Sequence, residues 1–176
     1  MKYLVYTIAI IILFSVNISL FPLLKINGYM PNLLLLLLVF FAVEKEGQDF
    51  FFVALLGGLF VDVHSAVFFG SFTLAFLCCA LILHLASSQI IIFELNWKYL
   101  AGVVIFSTLF VLIFVWFYNF LAIKLGWYAG DLDFKSLPGK FFTESVYNLL
   151  LFYPIKYLVF IVKQFNLKVF SKPGQH

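Results

Sequence analysis

The chain has 176 residues, 65% of them hydrophobic and 21% aromatic, and only 11% charged. Ordinary domains carry about 25% charged residues. A water-soluble globule of this length is therefore excluded, and the composition points to a single-domain, all-α, polytopic integral membrane protein over 1–176. All eleven basic residues are lysine. Without arginine or a clustered basic face, the net charge of +3 reads as a topology signal and not as a nucleic-acid footprint.

In chain order, the first span is expected over about 3–24. Phe21-Pro22-Leu23-Leu24 continues its apolar run where a cleavage site would lie, so it reads as an uncleaved anchor. Asn17 is its one strongly polar interior residue and is expected to hydrogen-bond a neighbouring helix. The second span begins at Pro31, a favourable first helical position, and runs through the leucine string to about 43. The third covers about 49–63. Both are short against the roughly 20 residues of a straight crossing. A re-entrant hairpin would bring Glu44, Lys45, Glu46 and Asp49 into hydrocarbon at high cost, so two short crossings joined by a wet turn are preferred.

The fourth and fifth spans cover about 66–85 and 99–121. Glu94-Leu95-Asn96-Trp97-Lys98 between them reads as an interfacial turn with a tryptophan anchor. A longer connection, about 122–140, holds Trp127, Tyr128, Asp131, Asp133 and several glycines. The sixth span, about 141–162, is interrupted by Pro154 and Lys156. Six crossings place both termini on one side with Lys2, Lys45, Lys98, Lys163, Lys168 and Lys172, against Lys25, Lys124, Lys135 and Lys140 opposite. That excess favours cytoplasmic termini. The alternation a barrel needs is missing.

Asp62 is the residue that most needs explaining. A carboxylate toward the middle of a membrane helix costs about 2.5–3.5 kcal/mol on insertion scales, so it normally faces protein. Ala54, Gly58 and Asp62 recur every four residues, and Ala66 would continue the row if the helix ran on. That spacing puts small side chains and the acid on one helical face, where small residues let two backbones approach. Ser71, Ala75 and Cys79 form a matching stripe on the next span. Helix packing or partner docking is preferred for Asp62 over a proton or ligand role.

Other candidates carry less chemistry. Cys78 and Cys79 are neighbours without a CxxC pattern and read as small packing residues. His64 lies two residues past Asp62, off the spacing a metal pair wants, and both it and His84 read as interfacial. Ser87-Ser88 has no base partner at a recognisable spacing, and catalytic, cofactor and metal residues are not assigned. Lys156 is expected to snorkel to the interface. Trp127 and Tyr128 read either as an aromatic belt or as an outer docking loop.

Pro31-Asn32 before a leucine-rich span, then Gly58-x3-Asp62-x7-Gly70, and Asn148 with Pro154 in the last span, together resemble the rod-shape-determining membrane protein MreD family. The resemblance covers about a third of the chain. It implies a non-enzymatic scaffold of the bacterial inner membrane, in the machinery that builds lateral peptidoglycan. The implied partners are an MreC-like bitopic protein, an MreB-like filament and a glycosyltransferase–transpeptidase pair. It also implies a six-helix fold resembling the substrate-binding components of energy-coupling vitamin transporters. That kinship supplies the main alternative, for which Asn17, Asp62, His64 and Asn148 are the sparse polar candidates. An intramembrane enzyme ranks last.

Overall fold

The computed structural model describes residues 2–25, 29–43, 49–89, 97–130 and 136–170. Among them are six α-helices and no strand: α1 (Lys2–Ser19), α2 (Leu33–Val43), α3 (Asp49–His64), α4 (Ser71–Gln89), α5 (Trp97–Lys124) and α6 (Leu137–Phe170). A 3-10 turn, Phe21–Leu24, follows α1.

The centre of the bundle is α2. Every residue from Leu33 to Ala42 is at most 7% exposed, because α1, α3, α4, α5 and α6 all pack around it. A helix that is apolar on all sides has no polar face to offer water and becomes the interior. Aromatic contacts seat its neighbours: Tyr6 of α1 meets Phe41 edge-on with centroids 4.9 Å apart, and Phe152 of α6 meets Phe40 at 4.8 Å. The outward-facing side chains are apolar too, among them Leu4, Ile12, Ile113, Phe117 and Phe142. Large exposed apolar surfaces of this kind mark membrane or protein contact.

Within α5, Tyr99–Lys124 is the one helix among the described residues both long and apolar enough to cross a membrane. Tyr3–Ser19, Leu33–Ala42 and Ser71–Ala86 are apolar but shorter.

Several sequence-based boundaries need correction. The first span is not one helix: α1 stops at Ser19, and Pro22, which has no N–H to continue an α ladder, sits in the first turn of the 3-10 segment. Pro31 does not open α2. Asn32 takes the N-cap position, its Oδ1 accepting the Leu35 N–H at 3.0 Å, so Pro31 lies just outside the helix. The fourth helix starts at Ser71 and not at 66, and Ala66 therefore does not continue the small-residue row of α3. Trp97 opens α5, which runs on to Lys124, and α6 runs from Leu137 through Pro154 to Phe170. Asp49 is not part of a wet turn. It is buried in the first turn of α3, where the Tyr6 hydroxyl donates to its Oδ2 at 3.3 Å.

The residues 44–48, Glu94–Asn96, Asp131, Asp133, Lys135 and Lys172 lie outside those described, as do the side chains of Lys2, Ser87, Ser88, Trp97, Lys98, Lys163 and Lys168.

Candidate functional site

Gly58, Asp62 and Gly70 are three parts of one joint between α3 and α4. These two helices are the most closely packed pair in the bundle. A Cβ on Gly58 would lie 2.5 Å from Thr73 Cα and 3.0 Å from Thr73 N, so only glycine admits the α4 backbone there. Past α3 the chain reverses through 65–70, and Gly70 takes φ +91°, a left-handed conformation that glycine adopts without steric cost.

The first N–H groups of a helix have no partner inside it and are normally served by a side chain at the N-cap. Gly70 has none to offer. Asp62 serves them from the neighbouring helix: Phe72 N–H donates to Oδ1 at 2.9 Å, Thr73 N–H to Oδ2 at 2.9 Å, and the Thr73 hydroxyl to Oδ2 at 2.5 Å. A carboxylate at a helix N-terminus is also favoured by the helix dipole. Asp62 is 3% exposed, and both its oxygens are met by these donors.

The same turn is tied down from α5 and the segment after it. Asn119 Oδ1 accepts the Phe68 N–H at 2.9 Å, while its Nδ2 donates to Ser71 Oγ at 3.1 Å and to the Val115 carbonyl at 2.7 Å. The Tyr128 hydroxyl donates to the Ala66 carbonyl at 2.5 Å, and its ring lies 6.2 Å from that of Phe68. Trp127 stacks on Phe68 at 6.5 Å yet stays 66% exposed. Sequence reasoning passed over Asn119, although the cue was the one that singled out Asn17 and Asn148: a lone carboxamide in an apolar helix.

A second polar cluster fixes the entrance of α2. Asn148 of α6, fully buried, accepts the Asn32 N–H at 3.1 Å and donates to Thr108 Oγ1 of α5 at 3.0 Å. Asn17 of α1 donates to the Pro31 carbonyl at 2.9 Å. Three helices thus hold one end of the central helix. Pro154 lies away from this cluster and is exposed, two residues before the half-exposed Lys156. Ala54, Ala75, Cys79 and Ser71 are fully buried in the α3–α4 region.

His64 lies edge-on to Phe14 at 6.0 Å, and His84 stacks on Phe50 at 4.4 Å. Cys78 and Cys79 are free thiols. Among the described residues no three His, Cys, Asp or Glu side chains gather to hold a metal ion.

Beside the entrance of α2 is a cavity of about 250 Å³, bounded by the ends of α1 and α3, the starts of α2, α4 and α6, and the middle of α5. Its walls are largely apolar, including Phe14, Leu34, Leu35, Val61, Phe72 and Val111. Asn17, Asn32, His64, Thr108, Lys140 and Glu144 supply polar groups. Asp62 does not line it; its carboxylate is spent on α4. Compared with known protein families, with curated proteins and with solved structures, the chain gives no match.

Proposed function

We propose that this chain is a non-enzymatic, multi-pass scaffold of the bacterial inner membrane, of the MreD kind, that docks an MreC-like bitopic partner in the cell-elongation complex. The observation that carries the reading is where the motif residues go. Asn32, Gly58, Asp62, Gly70 and Asn148 all serve to join helices, which is what a platform needs and a reaction centre does not. The short α2 fits a membrane setting. Its 11 residues span about 17 Å against a hydrocarbon core of about 30 Å, but a helix enclosed by protein need not meet lipid.

On this reading the turn 65–70, braced by Asn119 and Tyr128, presents Trp127 outward as a docking anchor. Exposed aromatic anchors dominate interface energies. Trp127→Ala is expected to cost about 2 kcal/mol of partner binding, roughly 30-fold in affinity. Co-purification of the full chain with its bitopic partner, alongside an unchanged melting temperature, checks this. Undiminished partner recovery with that variant would remove Trp127 as the dock. The glycosyltransferase–transpeptidase pair and the MreB-like filament would join through the same assembly.

The cavity beside α2 favours a second reading, a substrate-binding component of a small-molecule transporter. Apolar walls with a few convergent polar groups are what such a site requires. A tight ligand would raise the melting temperature by mass action, so heating the purified protein with a panel of vitamins tests it. A flat response across the panel speaks against transport.

A further inference from the structure

The cavity has a chemical bias that neither reading supplies. Its lysine and acid lining, among the described residues, consists of one amine and one carboxyl group on successive turns of α6, Lys140 and Glu144. They stand 3.8 Å apart, with side chains 34% and 13% exposed. That is beyond the 2.7–3.2 Å of a formed hydrogen bond, so each group keeps donor or acceptor capacity for a ligand.

A ligand with a single net charge would satisfy one of them and repel the other. A ligand carrying both signs a few bonds apart can lie antiparallel to the pair and satisfy both, with charge-assisted hydrogen bonds at each end. Asn17 and Asn32 also line this space. Asn17 donates to Pro31 through Nδ2, and its Oδ1 accepts from no described residue; Asn32 uses its Oδ1 on Leu35, and its Nδ2 donates to none. The apolar part of the lining includes Phe14, Leu35, Val61, Phe72 and Val111. At about 250 Å³ the space falls short of the roughly 300–1,000 Å³ of sites for drug-sized ligands.

We propose that this cavity binds a zwitterionic head attached to a small apolar or aromatic body, the ammonium on Glu144 and the anionic end on Lys140, the body against Phe14 and Phe72. The head chemistry is shared by free amino acids and by the ammonium–phosphate head of phosphatidylethanolamine. The inference needs neither a docking partner nor transport, so its failure would leave the scaffold reading standing.

Three probes with one body isolate the head: L-phenylalanine, phenethylamine, which lacks the carboxylate, and 3-phenylpropionate, which lacks the ammonium. Calorimetric titration of the full chain in phosphatidylglycerol nanodiscs should show saturable, one-to-one binding of L-phenylalanine, at least about tenfold tighter than either congener. Glu144→Gln should erase the advantage over 3-phenylpropionate, and Lys140→Gln the advantage over phenethylamine. Equal affinities for the three probes, no saturable binding up to millimolar concentration, or variants that keep the wild-type ranking would each overturn the proposal. Repeating the titration with phosphatidylethanolamine in the discs separates the sources. A fall in L-phenylalanine affinity assigns the lipid head as the resident ligand, and an unchanged affinity assigns a free solute.

Discussion

Asp62 illustrates how a buried carboxylate in an apolar chain can be structural. Its two oxygens take the first two N–H groups of α4 that have no other partner, together with the Thr73 hydroxyl. Asp62→Ala would leave those buried donors unmet and should cost about 3 kcal/mol, with Asp62→Asn losing about half as much because one carbonyl acceptor survives. Chemical unfolding of the purified protein measures both. The glycines beside it provide a matched pair. Gly58→Ala would press a methyl into the Thr73 backbone and should destabilise by about 1–3 kcal/mol. Gly57→Ala meets only Leu34 and Phe76 at ordinary contact distance, 3.8 Å, and should be neutral or up to about 1 kcal/mol stabilising through helix propensity. Equal effects at the two positions would contradict the close approach of α3 and α4. The small-residue spacing was legible in the sequence because it repeats every four residues. What Asp62 binds was not, since the recipients are backbone N–H groups, which every non-proline residue carries alike.

At the scale of elements, α2 and α5 are both strongly apolar, yet α2 is enclosed on all sides and α5 on one. Leu36 at the middle of α2 is completely buried, whereas Ile113 on α5 is 54% exposed. Leu36→Ala should therefore cost about 2–5 kcal/mol by emptying a packed site, and Ile113→Ala should stay within about 0.5 kcal/mol. A melting-temperature comparison of the two variants in the same detergent tests which helix is central. The start of α2 is set by Asn32 capping its first turn and by Asn148 reaching across from α6. Pro31 lies two residues before the first helical position, Leu33, because the Asn32 carboxamide between them makes the cap. The turn 65–70 was similarly hidden within an apolar run. It is specified by contacts from Asn119 and Tyr128, 51 and 62 residues distant in the chain.

For the whole molecule, the proposed six crossings make a definite topology claim. A fluorescent protein fused after His176 should fold and fluoresce in the cytoplasm, and alkaline phosphatase fused after Trp127 should be active outside it. An inactive phosphatase at that position would reverse the assignment of the outer loop. The orientation rests on the lysine distribution, while the bundle itself places the 65–70 turn beside Asn119 near the end of α5 and beside Trp127 and Tyr128 just after it.

The sequence by itself determined that this chain would be helical, that Asn17 would hydrogen-bond outside its own helix, and that Asp62 on a small-residue face would mark a helix contact. Tertiary structure alone decided which apolar helix is enclosed, which carboxamide meets which backbone, and that Lys140 and Glu144 border a common hollow. The reason is physical. With apolar side chains on every face there is little amphipathic contrast along the sequence, so inside and outside are distinguished only once the helices are assembled.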